Sequence, residues 1–242
     1  MERVIDHYKP LYDNKFFRFT IIDDGSNIIN ALTAKNIPEP WNIIRVEEDL
    51  GWGNEMSRNI LMNHTPVEWN ALMDLDLVID LNNLQSIIEN CIKYYTHLSR
   101  TFNFCLQFEK GRRYNYHDPT EEISDNCYIN SFIVPKRVWD RTFGYDQAYG
   151  YQYGIDYTFF RQLSAELILP DSKLIKLAIQ GAPDDKHDPL EWDAFKDHFN
   201  SRDKFIAEGF MTKEGRWKNH GERIKHSIKL PEYKVIRWLP LS

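Results

Sequence analysis

The chain has 242 residues, 42% of them hydrophobic and 14% aromatic, which is enough to bury one sizeable core. Its net charge of −6 disfavours nucleic-acid binding, because affinity for phosphate backbones requires a concentrated basic face. No apolar run reaches the length of a membrane-spanning helix, and residues 1–6 lack the features of a signal peptide, so we expect a cytoplasmic protein without a transmembrane segment.

The charge is unevenly distributed along the chain. From Arg202 to Ser242, ten lysines and arginines stand against five acids, whereas the preceding part is acidic. The basic segment is attracted to an anionic surface, either membrane lipid at the periphery of a bilayer or an acidic glycan, or it is an ordinary solvated helical face. The mixed signs of its charges favour the second interpretation. We therefore predict a main domain over residues 1–200 and a basic C-terminal extension over residues 201–242.

The first half of the chain alternates between strand and helix patterns. A strand over 16–22 runs into Asp23-Asp24-Gly25-Ser26 and a helix over 27–35. A strand follows at Trp41–Val46, then a glycine-containing loop and a helix over 55–63 that carries Arg58 and Asn59. This order predicts an α/β fold with an open, mixed but mostly parallel sheet flanked by helices, in which ligands lie at the carboxyl ends of the strands.

Two carboxylates interrupt an apolar run over residues 71–80. The surrounding residues predict a single strand that is buried on both faces, where the unpaired charges of Asp74 and Asp76 would be costly unless they lie at its end. Mg²⁺ and Mn²⁺ take oxygen ligands and often complete their shell with substrate phosphates, so the pair suits a metal–diphosphate site. On its own, the motif more often marks a solvated turn.

The second half continues with further predicted elements. We expect helices over 83–98 and 156–169, strands over 101–108, 128–134 and 172–180, and a short helix after Pro135 that carries Trp139. The polar segment 109–124 is predicted to be a mobile loop. His187 follows in an acidic turn, where it either ligates a metal or is simply solvated.

The segment 143–156 combines tyrosines with glycines. Tyrosine rings offer flat apolar faces with a polar handle, which suits contact with sugars, and the glycines favour a cleft-lining loop over core packing.

Together, four motifs in this order resemble those of GT-A fold glycosyltransferases of the family 2 type, and especially their galactosyltransferase-like branch. The motifs are the strand ending in Asp23-Asp24-Gly25-Ser26, the segment Trp52-Gly53-Asn54-Glu55-Met56-Ser57-Arg58-Asn59, the strand ending in Asp74-Leu75-Asp76, and Gly144-Tyr145-Asp146 through Gly154-Ile155-Asp156. The resemblance implies a GT-A catalytic domain that transfers a sugar from a nucleotide-diphosphate sugar, with a UDP-sugar favoured, to a hydroxyl of a glycan or related acceptor.

The resemblance also implies roles for individual residues. Asp156 is the expected base of an inverting reaction, and Mn²⁺ or Mg²⁺ is held by Asp74, Asp76 and His187. The expected donor-binding residues are Asp23, Asp24, Gly25, Ser26, Arg58, Asn59 and Asp74. The expected acceptor-binding residues are Trp139, Tyr145, Asp146, Tyr149 and Tyr151.

Two departures from the family pattern favour an alternative. The family's first strand, which begins the nucleotide pocket, is expected at or before Met1 and is not found, and Ile155 stands where relatives usually have Glu. A catalytically inactive nucleotide-sugar or glycan-binding module of the same fold is therefore the second hypothesis. A nucleotidyltransferase is the third, but it usually needs a glycine-rich basic loop near the N-terminus.

Overall fold

The computed structural model describes a mixed α/β protein. The described residues are 1–23, 37–47, 54–75, 77–98, 102–108, 113–115, 118–123, 131–142, 144–145, 159–160, 162–170, 172, 174–177 and 232–239. The α-helices among them are α1 (Glu2–Tyr8), α2 (Asn54–His64), α3 (Leu84–Leu98) and α4 (Lys136–Trp139). The strands are β1 (Phe19–Asp23), β2 (Trp41–Val46), β3 (Trp69–Leu72), β4 (Leu77–Ile79), β5 (Phe104–Gln107), β6 (Arg113–Asn115), β7 (Asp118–Ile123), β8 (Phe132–Pro135), β9 (Ala165–Ile168), β10 (Leu174–Lys176) and β11 (Tyr233–Arg237).

The first sheet joins both ends of the chain. Its order is β1-β2-β11, with β1 and β2 parallel and β11 antiparallel to β2. Ile43 and Ile44 of β2 are fully buried in different core clusters, so this strand is covered on both faces as its apolar sequence predicts. Residues 233–237 of the basic C-terminal segment are therefore part of a sheet with the N-terminal strands.

The side chain of Arg237 fastens β11 to the segment before β2. Its guanidinium donates hydrogen bonds to the backbone carbonyls of Ile37 and Pro38, both at 2.8 Å, and to that of Trp41 at 2.7 Å. Charge-assisted hydrogen bonds of this kind are stronger than neutral ones. Lys234 of the same strand pairs with Glu47. Two of the basic side chains of the C-terminal segment are thus bonded within the protein.

The other two sheets are mixed. Their orders are β4-β10-β6-β7 and β3-β8-β5-β9. Among the pairings that the structure describes, three are parallel and five are antiparallel. The α/β class is confirmed, but the prediction of a mostly parallel sheet is wrong for the described strands.

The apolar run over residues 71–80 is two strands. β3 ends at Leu72 and β4 begins at Leu77, and the two strands belong to different sheets. Between them the chain turns, with the Leu77 amide donating to the Asp74 carbonyl at 3.1 Å. The prediction of a single strand is wrong because two adjacent buried strands leave the same apolar signature as one. The turn gives Asp74 a position at the end of a strand.

Other predicted elements are partly confirmed. The strand Trp41–Val46, the helices α2 and α3 and the short helix α4 occur as their patterns indicate. Two predictions are wrong. Residues 113–115 and 118–123 are the antiparallel strands β6 and β7 rather than a loop. Ala165–Ile168, placed in a predicted helix, is a strand parallel to β5, because tertiary pairing overrides the weak helical spacing.

The main core lies between α3 and the sheet that contains β5 and β8. Cys91 of α3 and Cys105 of β5 are buried in it, and burial raises the pKa of the Cys91 thiol to about 12 and also raises the pKa of Cys105. Both thiols are protonated and inert at neutral pH. Cys127 lies outside the described residues.

In the described part of the chain, no helix combines the length and apolarity that crossing a membrane requires.

Helix α1 closes one edge of β4. The Tyr8 hydroxyl accepts a hydrogen bond from the Ile79 amide at 3.0 Å, and the His7 ring nitrogen Nε2 lies 2.8 Å from the Ile79 carbonyl oxygen. Two side chains thus replace the backbone partners that a neighbouring strand would supply. Burial raises the pKa of Tyr8 to about 12, because the phenolate would lose its hydration.

This environment predicts a pH-dependent stability. The unfolded tyrosine ionises near pH 10, before the folded one, so the Tyr8 contribution is complete below pH 10 and falls as the pH rises towards 12. At neutral pH, Tyr8→Phe should lower the free energy of unfolding by about 1–3 kcal/mol, since the Ile79 amide loses its acceptor. Urea unfolding at several pH values should show this difference shrinking above pH 10. A difference that stays constant up to pH 12 would contradict the assignment.

Candidate functional site

The candidate site forms where β3 ends beside α2. Asp74 follows β3, and its Oδ1 lies 2.7 Å from Nη2 of Arg58 on α2. The Arg58 side chain is 7% exposed and that of Asp74 17%, so this is a largely buried ion pair at a sheet edge. The Asp74 amide also donates to the Ser131 hydroxyl at 3.4 Å, which links the turn to the start of β8.

Tyr145 holds the other side of the guanidinium. Nη1 of Arg58 donates to the Tyr145 hydroxyl at 3.1 Å, and the Tyr145 side chain is fully buried. A planar guanidinium fixed at two of its nitrogens has a defined orientation. Arg58 is therefore a rigid positive group, and among the described residues the Asp74 carboxylate offsets its charge.

Asn59, the next residue of α2, clamps the backbone of Tyr145. Its Oδ1 accepts from the Tyr145 amide at 2.9 Å, and its Nδ2 donates to the Tyr145 carbonyl at 3.0 Å. The preceding residue, Gly144, has φ +67°, and a Cβ there would overlap Oδ1 of Asn59. Gln162 donates to the Gly144 carbonyl at 2.8 Å. The beginning of the tyrosine- and glycine-rich segment is thus anchored to α2, and only glycine fits at position 144.

Aromatic rings pack beneath the ion pair. The ring centroids of Trp139 and Tyr145 lie 4.8 and 5.3 Å from that of Phe159, and the Phe132 ring stacks on Phe159 at 5.4 Å. Trp139 is 5% exposed and Tyr145 0% exposed. Both rings are buried in the core, where Tyr145 supports the Arg58 side chain. The predicted contact of Trp139 and Tyr145 with an acceptor stays a prediction.

Asp23 lies at the end of β1 in a second charged pair. Its buried carboxylate bonds to the guanidinium of Arg45, the residue opposite it on the parallel strand β2. The Asp23 side chain is 1% exposed, so its charge requires the partner that Arg45 supplies. The predicted contact of Asp23 with a nucleotide stays a prediction.

The structure brings together five of the predicted site residues. They are Arg58, Asn59, Asp74, Trp139 and Tyr145. Nine other predicted site residues lie outside the described part of the chain, and their roles stay predictions. These residues are Asp24, Gly25, Ser26, Asp76, Asp146, Tyr149, Tyr151, Asp156 and His187.

Sequence reasoning missed three residues that support these groups. Gln162 and Ser131 bond to the backbone near the site and carry no sequence signal, because such contacts depend on tertiary placement. Arg45 could have been found, since a lone cation within an apolar strand requires an acidic partner.

The donor chemistry of the predicted metal ligands suits a hard cation, since two are carboxylates and one is an imidazole. One observation refines this set. Asp74 Oδ1 already has the Arg58 guanidinium as a cationic partner, so metal binding there would compete with the ion pair. Within the described ranges, no group of three or more acidic, histidine or cysteine side chains is arranged to hold a metal.

Comparison with known proteins adds no assignment: no family model matches the chain, and no curated protein matches it significantly in sequence.

The Asn59 clamp predicts a non-additive pair of substitutions. Gly144→Ala should lower the free energy of unfolding by about 2 kcal/mol, because the new methyl group displaces Asn59 and the backbone is strained. Asn59→Ala removes the same hydrogen bonds and makes room for the methyl group. Chemical denaturation should therefore show that the double variant loses less stability than the sum of the single variants. Strictly additive losses would contradict the clamp.

The Arg58–Asp74 pair is testable by a double-mutant cycle. Asp74→Asn should lower the free energy of unfolding by about 3 kcal/mol, because it leaves a buried guanidinium without its counter-charge. Arg58→Met in the same background should recover part of the loss, giving a coupling energy above about 1 kcal/mol. The control is Asp140→Asn in the exposed Lys136–Asp140 pair, where the loss should stay below about 1 kcal/mol. Equal losses at the two sites would refute the buried pair.

Proposed function

We propose that the protein is a metal-dependent glycosyltransferase that moves a sugar from a nucleotide-diphosphate sugar, with a UDP-sugar favoured, to a hydroxyl of a glycan or related acceptor. The observation that carries the proposal is the fixed orientation of the Arg58 guanidinium, which is bonded to Asp74 and to the Tyr145 hydroxyl. Asp74 follows β3 and lies two residues before Asp76 in the sequence. A fixed guanidinium is suited to bind phosphate oxygens or the nucleoside of a donor.

Charge balance supports a second cationic group in this site. Because Asp74 offsets the charge of Arg58, the pair alone does not neutralise a diphosphate. Asp76 and His187 are the residues that would hold Mn²⁺ or Mg²⁺, with Asp74 kept as the partner of Arg58. When bound, the ion would neutralise the negative charge that develops on the leaving diphosphate.

The acceptor side would be formed by the segment that begins at the Asn59 clamp. Anchoring Gly144 and Tyr145 to α2 fixes the origin of the segment that carries Asp146, Tyr149, Tyr151 and Asp156. In the proposed reaction, Asp156 takes the proton of the attacking hydroxyl and the sugar is transferred with inversion. Asp24, Gly25 and Ser26 follow the end of β1 and would contact the nucleoside.

The test is a binding and turnover screen of UDP- and GDP-sugars with and without Mn²⁺. One nucleotide sugar should raise the thermal midpoint of the natural chain in the presence of Mn²⁺ and release free nucleotide diphosphate slowly. Asp76→Asn should abolish the Mn²⁺ dependence. The matched control is Asp80→Asn, since Asp80 caps the next turn through the Asn82 amide and Asn preserves that cap.

A second variant separates binding from chemistry. Asp156→Asn should keep donor binding and lower turnover by about 10²–10⁴-fold, as expected for loss of a general base. Stabilisation by a nucleotide sugar without any turnover, even with a range of glycan acceptors, would favour the inactive binding module. Absence of stabilisation by every nucleotide would refute both proposals.

A further inference from the structure

A rigid turn before β1 presents an exposed aromatic ring. Phe16 is 81% exposed, the largest fraction among the exposed large apolar side chains of the described residues. The ring lies in the Phe16 turn, which we define as residues 14–18. The other exposed apolar residues in the described part of the chain lie on helices, strands or other loops and are less exposed. A single exposed side chain is common in proteins, so its surroundings decide what it can do.

The turn is held by its own hydrogen bonds. The Phe16 amide donates to Oδ1 of Asn14 at 3.0 Å, the Phe17 amide donates to the Asn14 carbonyl at 3.1 Å, and the Asn14 amide donates to the Leu11 carbonyl at 3.0 Å. These backbone donors therefore need no partner from another strand. The turn suits a contact made by side chains rather than pairing with an added strand.

The core anchors both ends of the turn. Tyr12 precedes it and Phe19 follows it, with ring centroids 5.6 Å apart, and both rings lie against Trp41 of β2. Phe16 consequently stands on a fixed base, and little backbone entropy is lost if the ring becomes buried in a partner.

One cation lies near the exposed Phe16 ring, and two others are close to it in sequence. The Lys15 ammonium lies 5.7 Å from the centroid of the Phe16 ring, and the Arg18 guanidinium bonds to the carbonyls of Lys15 and Phe17 at 3.2 and 3.0 Å. Lys9 is a third exposed cation nearby in sequence, and Asp13 is the single acid between residues 9 and 18. The chain as a whole carries −6, so this local basic character is opposite in sign to the net charge of the chain.

We propose that the Phe16 turn docks the protein on an anionic lipid bilayer. An aromatic ring with the Lys15 ammonium beside it matches the interface of such a membrane, where the ring enters the boundary of the acyl chains and the ammonium meets lipid phosphates. The part of the chain before Arg202 carries the excess of acids and is repelled by the same surface, which orients the molecule with the turn towards the lipid. The inference does not depend on the proposed transferase chemistry.

Vesicle sedimentation of the full chain tests the proposal. Vesicles with about one third phosphatidylglycerol should bind the protein, and vesicles of phosphatidylcholine alone should bind it much less. Phe16→Ala should weaken binding about tenfold, and Lys15→Ala about fivefold. Phe16→Trp should bind at least as well as the natural chain. Raising the salt from about 0.1 M to about 0.5 M should also weaken binding.

The control is Ile168→Ala on β9, which removes an apolar side chain that is 49% exposed and has no basic residue beside it in the strand. This variant should bind like the natural chain. Because Phe16 is exposed, Phe16→Ala should leave the thermal midpoint unchanged, which excludes misfolding as the cause of lost binding.

Several results would overturn the proposal. They are binding that is equal on neutral and anionic vesicles, binding that Phe16→Ala does not change, and absence of binding to either vesicle. The last result together with a dimer in solution that Phe16→Ala dissociates would assign the turn to self-association instead.

Discussion

The buried charge of Arg58 is the constraint on which the centre of this molecule depends. A guanidinium that is almost removed from water is tolerable only when its charge is offset and its N–H groups are bonded. Asp74 and the Tyr145 hydroxyl meet those needs from two different parts of the chain, and the neighbouring Asn59 then fixes the Tyr145 backbone. Helix α2 is consequently the element to which the end of β3 and the start of the tyrosine-rich segment are both attached. Such an arrangement contributes more to a unique geometry than to net stability.

Side chains distant in sequence complete the sheets. Tyr8 of α1 supplies an acceptor to Ile79 at the edge of β4, and Arg237 supplies three donors to carbonyls that precede or begin β2. In both cases a polar side chain, rather than another strand, supplies hydrogen bonds to backbone groups at or beside a strand. The candidate site lies where α2, which packs against Ile44 and Val46 of β2, reaches the end of β3.

Periodicity predicted the elements whose apolar pattern matches a single face or a single buried strand. Helix α3 and strand β2 are of this kind. It could not divide the run over 71–80, because the turn after Leu72 contains no glycine or proline to mark it. It also missed β9, whose identity depends on pairing with β5. At the site, Arg58, Asn59 and Asp74 were grouped as donor-binding residues, which stays a prediction, and the structure shows that Arg58 and Asp74 are in contact. The burial of Tyr145 and Trp139 could not be foreseen. A tyrosine can face a ligand or a guanidinium, and only the packing of Phe159 beside it decides between them.

The pairing of β2 with β11 has a consequence for how the chain is made. Arg237 and its acceptor on Trp41 are 196 residues apart, so at ordinary rates of translation the edge of β2 waits roughly 10–40 s for its partner strand. During that interval a regular, apolar strand has one side available to any other nascent chain. Pairing of this edge with another chain would compete with β11, and a translational pause between the two strands would lengthen the period of risk. A chaperone that shields β2 would raise the yield of folded protein without altering the stability of the finished fold.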